Sequence, residues 1–389
     1  MKYGEDTFIC RLFRRLLENK YGIRFAPESI ADKFSYERTE PVGNPFGFHG
    51  LLNMWHYVKE EEFRNFIKLL HPHTLNSIEA FELAINYKRA GKLKQAEIIC
   101  RKILELYPNN QNANGLLKAI EIENINGASI FLYAEQGFGD MIQLIGYMPL
   151  VSKRCKEVII ECQAELVPLV KNMKGVYVVI PQGESTPEFD FHCSLLMLPV
   201  IFDTTLKSIP ADVPYITVDP DIAQSWRRKI QRDESELKIG LAWAGGHTES
   251  TLRDRSCSLD MFSFLGKLNG IIFYSLQKGE PAKHSKKLTV GMKLIDYSEE
   301  LRDFSDTTAL IKNLDLVISV DTAVAHLAGA LGKPVWTLLS FSPDWRWMLN
   351  QEDSPWYPTM KLFRQTAMGD WKSVIAQVAE ELRLLTAKR

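Results

Sequence analysis

Short apolar runs separated by segments of helical periodicity dominate the chain from Gly127 onward. Nine such runs are rich in Val, Ile, Leu and aromatic residues: SIFLYA, EVIIEC, VYVVI, FDFHC, KIGLAWAGG, IIFYSLQKG, KLIDYS, DLVISVD and PVWTLL. Strands that alternate with helices form parallel sheets covered on both faces. The alternation stops at the proline-rich stretch TTLKSIPADVPYITVDPD and resumes at Lys238, which predicts a linker between two α/β lobes with the active cleft between them.

A different pattern precedes the lobes. Residues 77–110 read as two amphipathic helices separated by a glycine and ended by a proline. Small, aromatic and proline residues recur there at the spacing of one tetratricopeptide repeat: Ala84, Tyr87, Gly91, Ala96 and Pro108. A single repeat cannot bury its apolar face alone, so we expect it to stack on neighbouring helices. It then serves as a structural link or as a docking surface, and the pattern leaves both open.

Composition excludes several classes of protein. The 389 residues are 46% hydrophobic and 24% charged, with a formal net charge of -1, which is ordinary for a globular protein and unlike a nucleic-acid binder. No apolar run reaches the ~18 residues of a membrane helix, and the amino terminus is charged where a signal peptide is apolar. We therefore expect no transmembrane segment and a cytoplasmic location. The six cysteines are scattered, without a C-x-x-C pair, and predict neither disulfides nor a zinc site.

The first chemically informative turn is GFGD, at the end of the first apolar run. Gly137 and Gly139 resemble the start of a dinucleotide fingerprint, but the third small residue of that motif would fall where Ile142 stands. This mismatch disfavours an NAD site. The glycines still predict a tight turn with close backbone approach by a ligand, and they place Asp140 on the rim of the sheet. The structural alternative is that Asp140 caps the following helix.

A second turn, SVDTAVAH, follows a buried run in the second lobe. Asp321 could cap the next helix, whose amino terminus would present the backbone N–H groups of Thr322 and Ala323 to a phosphate. His326 lies one turn further along and could point back at the same anion. The alternative for each side chain is structural, a capping aspartate and a core histidine, but two such loops at equivalent strand ends favour a site.

These motifs together resemble a known family. EQGFGD and SVDTAVAHLAGALGKPVW, with GLAWAGG, SLQKG and SPDWRW, are similar to the tetratricopeptide-linked bacterial glycosyltransferases related to lipopolysaccharide heptosyltransferases. The resemblance covers about residue 127 to the end. It implies a GT-B fold, with the donor nucleotide sugar on the carboxyl-terminal lobe and the acceptor facing the amino-terminal lobe.

The resemblance also implies roles for single residues. Asp140 corresponds to the aspartate proposed as catalytic base. Asp321, Thr322, Ala323 and His326 correspond to the loop that holds the donor diphosphate, and the heptosyltransferases usually have glycine where Ala323 stands.

Basic loops could complete the diphosphate site, because arginine forks bind phosphate in bidentate fashion. The candidates, beside Gly137 and Gly139, are Arg253, Arg255, Gln277, Lys278, Asp344 and Arg346. Solvated surface charge is the alternative for the loop cations. Trp345 of SPDWRW could line the sugar pocket, and a packing role is the alternative for the tryptophans of this motif.

No metal site is predicted. The D-x-D pair of Asp219 and Asp221 precedes a helical segment with Pro220 at its first position, which favours a capping role. The His-Pro-His motif at residues 71–73 has no nearby third ligand and is expected to form a loop before a helix. We expect no cofactor beyond the nucleotide sugar as substrate.

The first seventy residues resemble the last part of a GT-A-like sugar transferase domain, with Glu5, Asp6 and His49 at motif positions. The nucleotide-binding half that should precede them is missing from the sequence. We therefore expect a remnant or a fragment of a longer protein rather than a working site.

The resulting prediction is an α/β protein: a GT-B-like pair of doubly wound Rossmann-like lobes, preceded by an α-helical tetratricopeptide-like segment. The expected domains are the transferase remnant 1–72, the helical segment 73–126, the acceptor-side lobe 127–218 and the donor-binding lobe 219–389. The expected activity is metal-independent sugar transfer from a nucleotide-diphosphate sugar to a hydroxyl of a protein or glycan, without nucleic acid. A non-catalytic binding module and, more weakly, an NAD-dependent oxidoreductase are the alternatives.

Overall fold

The computed structural model describes residues 72–123, 127–230, 236–245, 255–287, 292–349 and 351–387. The predicted transferase remnant, apart from its last residue, and Arg253 lie outside the described residues. Within them, no helix is both long and apolar enough to cross a membrane.

Three helices come first: α1 (Pro72–Arg89), α2 (Leu93–Leu106) and α3 (Gln111–Glu123). α1 and α2 are joined through Gly91, whose positive φ of 71° permits the sharp reversal of a helical hairpin. α1 begins at Pro72, so the predicted loop at the His-Pro-His motif is wrong; proline suits the first turn of a helix because its missing N–H has no intrahelical partner there. That this hairpin is a tetratricopeptide repeat stays a prediction.

The amino-terminal lobe is built on a four-stranded parallel sheet of order β3-β2-β1-β4. Its strands are β1 (Ser129–Tyr133), β2 (Glu157–Cys162), β3 (Val178–Pro181) and β4 (Phe191–Ser194). Its helices are short: α4 (Phe138–Leu144), α5 (Met148–Val151), α6 (Val167–Val170) and α7 (Leu198–Ile201). Prolines in the first turn of α5, α6 and α7 are compatible with these brief helices.

The carboxyl-terminal lobe has a six-stranded parallel sheet of order β10-β9-β8-β5-β6-β7. Its strands are β5 (Leu237–Ala242), β6 (Ile271–Ser275), β7 (Leu294–Asp296), β8 (Leu316–Val320), β9 (Val335–Leu339) and β10 (Met360–Arg364). Its α-helices are α8 (Pro220–Ile230), α9 (Phe304–Lys312), α10 (Ala323–Ala330) and α11 (Trp371–Ala387). The parallel sheets confirm the predicted α/β class; β10 was missed because its sequence, MKLFR, alternates apolar and basic residues.

Both lobes share one topology that fixes where a ligand can bind. The first strand of each lobe, β1 or β5, is central; the chain winds outward on one side and then crosses to the other. The strand order therefore reverses between β1 and β4 and between β5 and β8. Ligands of open α/β sheets bind at such switch points, outside the carboxyl ends of the strands. The turns after β1 and β8 are the ones that carry GFGD and SVDTAVAH.

A continuous core joins these parts. One cluster of buried apolar side chains runs from α2 and α3 through the first lobe to α9 and α10, and a second lies between the six-stranded sheet and α11. The predicted linker is irregular and packs between the lobes: the Tyr215 hydroxyl donates to the carbonyl of Ile142 at 3.0 Å, and the Tyr215 N–H donates to the carbonyl of Ala330 at 3.1 Å. The linker thus contacts α4 in one lobe and α10 in the other.

Candidate functional site

Asp140 lies at the boundary between the lobes. β1 ends at Tyr133 and α4 begins at Phe138, with Gly137 as its extended N-cap residue (φ −69°, ψ 174°). Asp140 is in the first turn of α4 and makes no side-chain capping bond there. Its Oδ1 instead accepts a hydrogen bond of 2.5 Å from Nη2 of Arg346, which belongs to the other lobe. The capping alternative for Asp140 is therefore not observed.

Gly139 packs directly on the opposite lobe. A Cβ atom at this position would lie 2.8 Å from Cδ2 and 3.3 Å from Nε2 of His326, whereas a Cβ at Gly137 would have no neighbour closer than Oδ2 of Asp140 at 3.8 Å. The sequence predicts that both glycines let a ligand approach. In the structure, close approach at Gly139 is made by a histidine ring, so this glycine serves contact between α4 and α10.

His326 is a buried residue of that contact, 2% exposed. Its Nδ1 shares a hydrogen bond of 2.9 Å with the hydroxyl of Tyr357, and its ring centroid lies 5.1 Å from that of Trp347. Burial, together with the positive charge of Arg346, holds the pKa of His326 well below its usual range. The imidazole is neutral at pH 7, and in this closed arrangement it does not point back at an open anion site as the sequence predicts.

Asp321 follows β8 but does not cap α10. The N-cap residue is Thr322, without a side-chain capping bond, so α10 begins at Ala323, one residue later than a cap at Asp321 would place it. The Asp321 carboxylate is nearly fully buried, and within the described residues its Oδ2 has no hydrogen-bond partner; the nearest cation is Nη1 of Arg255, at 3.8 Å. Burial raises the pKa of Asp321, and the charges of Arg255 and Arg346 oppose that rise.

Arg346 connects the two lobes. Its guanidinium donates to Asp140, to Oε1 of Gln143 at 3.0 Å and, through Nε, to Oδ1 of Asp344 at 2.9 Å, and the side chain is 11% exposed. Asp344 is also the N-cap of the short 3-10 helix that carries Arg346. Burial acts to lower the pKa of Arg346, but the carboxylates of Asp344, Asp140 and Asp321 raise it above its ordinary value, so the group stays charged.

Gln143 is the site residue that the sequence prediction missed. It is 4% exposed, and its Nε2 has no partner among the described residues. The available signal was its spacing: a residue three positions after Asp140 lies on the same face of a helix.

Gln277 and Lys278 are engaged with backbone. Oε1 of Gln277 accepts from the N–H groups of Trp243 and Ala244 at 3.0 and 2.8 Å, which fixes the turn after β5. Nζ of Lys278 donates to the carbonyls of Ser298 and Leu301, both at 2.6 Å, and so holds the loop that precedes α9. Both side chains order loops at the carboxyl edge of the sheet; that they contact a donor stays a prediction.

Asp219 has a structural role. Its Oδ1 accepts from the N–H groups of Asp221 and Ile222 at 2.9 and 3.2 Å, which caps α8 as predicted. Across the described part of the chain, no group of three His, Cys, Asp or Glu side chains has an arrangement that could hold a metal ion.

Two doubly wound parallel lobes whose switch points face each other define the GT-B class of fold. Two solved structures share it with TM-scores of at least 0.50. The glycosyl transferase family 9 protein of Veillonella parvula is 11% identical, with 68% of this chain and 99% of that chain covered and a TM-score of 0.51. The E. coli ADP-heptose lipopolysaccharide heptosyltransferase II is 12% identical, with 67% and 99% covered and a TM-score of 0.50.

The sequence comparisons agree with this class. Residues 302–373 match the model of Glycosyltransferase family 9 (heptosyltransferase), a segment that includes Asp321, His326 and Arg346. Protein FlbA of Caulobacter vibrioides is 23% identical over 283 residues, which cover 67% of this chain and 47% of FlbA, so the chain spans about half the length of that relative. Fold and family match together support a glycosyltransferase.

Proposed function

We propose that the chain transfers a sugar from a nucleotide-diphosphate donor to a hydroxyl group of a protein or glycan. The observation that carries the proposal is the meeting of Asp140, at the switch point of the first lobe, with Arg346 of the second lobe, beside the buried Asp321 and the amino terminus of α10. A carboxylate that could accept a proton and a cation that could stabilise an anion thus lie in contact at the boundary between the lobes. The similar E. coli protein is named for ADP-heptose, which is a donor of this chemical class.

The reaction assigns a task to each group. Asp140 accepts the proton of the acceptor hydroxyl as its oxygen forms a bond to the anomeric carbon. The bond from that carbon to the phosphate oxygen breaks, and the nucleoside diphosphate leaves with the electron pair. Arg346, Arg255 and the N–H groups at the start of α10 stabilise the charge that develops on the leaving diphosphate. The family resemblance favours inversion at the anomeric carbon.

We further propose that transfer needs no divalent ion. Arg255, 3.8 Å from Asp321, and Arg346 are the cations of this cluster, and a diphosphate that displaces their carboxylate partners could bind them without a metal. Asp219 of the D-x-D pair caps α8 with its carboxylate, and both aspartates lie at the start of that helix, outside this cluster of residues.

A panel of nucleotide sugars tests the proposal. A donor at ~100 times its dissociation constant adds ~2.7 kcal/mol to the free energy of unfolding, which a thermal-shift assay detects. Release of nucleoside diphosphate from the stabilising donor, slowly to water or faster with an acceptor, is the expected second result. Binding without any release of diphosphate would indicate a non-catalytic binding module, and stabilisation by NAD alone would indicate an oxidoreductase.

A further inference from the structure

Arg346 carries a buried positive charge from the donor-side lobe into the acceptor-side lobe. Two of its three side-chain acceptors, Asp140 and Gln143, belong to α4, and only Asp344 belongs to its own lobe. The carboxylate assigned as the base is therefore already engaged, at 2.5 Å, by a cation. While Arg346 contacts Asp140, the Oδ1 atom is occupied by a charge-assisted hydrogen bond and is not free to accept one from an acceptor hydroxyl.

The contact between α4 and α10 also covers two side chains of the predicted donor loop. Asp321 is 4% exposed and His326 is 2% exposed, and Gly139 lies on the His326 ring without room for a Cβ atom. The side chains of Asp321 and His326 are thus covered while α4 lies on α10, whereas Thr322 and Ala323 at the start of α10 stay partly exposed. Among the described residues, Nε2 of Gln143 has no hydrogen-bond partner, and Oδ2 of Asp321 has only the ion pair with Arg255 at 3.8 Å, so this arrangement satisfies the buried polar atoms incompletely.

We propose that Arg346 exchanges partners during the reaction: the donor diphosphate takes the guanidinium away from Asp140, and the released carboxylate then accepts the proton of the acceptor. The inference rests on the proposed transferase function and adds an order to it. The donor binds first, because Oδ1 of Asp140 is released to the acceptor only after Arg346 has moved. Arg346 is on this view both a donor ligand and the residue that holds the base inactive in the absence of donor.

Partner exchange by Arg346 predicts a change in nucleotide affinity that an arginine fixed on Asp140 does not. Asp140 and the diphosphate compete for one guanidinium, so each must weaken the affinity of Arg346 for the other, and the coupling is reciprocal. Removing the Asp140 carboxylate should therefore tighten nucleotide binding. An arginine that stayed on Asp140 throughout would give unchanged affinity, and an Asp140 that oriented Arg346 toward phosphate would give weaker affinity in its absence.

Calorimetric titration with ADP, UDP and GDP tests the exchange. Whichever nucleotide binds the wild type should bind Asp140→Asn and Asp140→Ala at least about fivefold more tightly, the lower end of ordinary coupling between sites. Arg346→Met should bind it more weakly. In the double variant Asp140→Asn/Arg346→Met the tightening should disappear. Near-UV circular dichroism of each variant establishes that it is folded.

Two controls separate exchange from simple loss of negative charge. Glu135→Gln removes an exposed carboxylate five residues before Asp140, and it should leave affinity unchanged. If tightening persists in the Arg346→Met background, repulsion through space is its cause and exchange is wrong. Unchanged or weaker binding by Asp140→Asn also overturns the exchange while leaving the transferase proposal intact. Failure of the wild type to bind any of the three nucleotides would overturn the proposed function and the exchange with it.

Discussion

Substitution of Gly139 by alanine tests whether this glycine is required for the packing of α4 on α10. The new Cβ atom would stand 2.8 Å from Cδ2 of His326, where ordinary van der Waals contact begins at 3.4 Å, so the ring or α4 must move by at least 0.6 Å, the difference between these distances. The ring is held by a 2.9 Å hydrogen bond to Tyr357 and by Trp347. The strain therefore falls on the contact between α4 and α10.

The expected size of the effect combines two terms of opposite sign. Overpacking a well-packed core costs about 1–3 kcal/mol, and replacing a helical glycine by alanine returns up to about 1 kcal/mol. We expect a net loss of up to about 2 kcal/mol in the free energy of unfolding, which in a chain of 389 residues corresponds to a fall in Tm of at most roughly 4 °C. The sign is informative, because an unhindered helical Gly→Ala substitution stabilises.

Differential scanning fluorimetry without and with nucleotide provides the measurement. Gly137→Ser is the matched control: its Cβ would have no neighbour closer than 3.8 Å, its backbone is already extended, and serine is a favourable N-cap, so stability should be unchanged or slightly higher. If Gly139→Ala keeps the wild-type Tm but loses nucleotide affinity, Gly139 serves ligand approach, as the sequence alone predicts, and the packing argument is refuted.

The remaining predictions concern the site. Asp140→Asn should lower turnover by ~100-fold or more, the usual scale for losing a general base, while Glu135→Gln should not; wild-type turnover in Asp140→Asn would end its assignment as base. His326→Ala, which on the sequence alone should weaken nucleotide diphosphate binding at nearly constant Tm, should instead destabilise by about 2–4 kcal/mol, because it leaves a cavity and removes the hydrogen bond between His326 and the Tyr357 hydroxyl. The lowered pKa of His326 in the folded chain means that the unfolded chain binds the extra proton first, so stability should fall as pH drops below about 6.5, by up to ~1.4 kcal/mol per pH unit. Urea unfolding from pH 7.5 to 5 should show that slope in wild type and less of it in His326→Gln; equal slopes would contradict the assignment. Gln277→Leu should cost about 2–4 kcal/mol by chemical denaturation, because two buried N–H groups lose their acceptor, and a cost below 0.5 kcal/mol would argue against this role. Chelation by EDTA should leave turnover intact, and loss restored by Mg²⁺ or Mn²⁺ would show that a metal takes part.

Periodicity determined the architecture. Nine apolar runs of strand length alternate with helical segments, and all nine are strands of two parallel sheets, because burial on both faces requires continuous apolar sequence. The interruption before Lys238 marked the change of lobe for a similar reason: prolines remove backbone donors and end helical periodicity. The pattern does not predict β10, because Lys361 and Arg364 of this strand are only partly buried and interrupt its apolar sequence.

Local motifs determined which loops carry the candidate site, since GFGD and SVDTAVAH both follow a strand at its carboxyl end. They could not determine what each side chain contacts. Arg346 contacts Asp140 and Gln143, and His326 contacts Gly139, in each case across more than 180 residues of sequence. Local propensity does not encode contacts between residues so far apart. Only the packing of α4 on α10 decided that His326 is buried and neutral, that Gly139 faces a ring, and that Arg346 holds Asp140, because burial and ion pairing depend on how the two lobes come together.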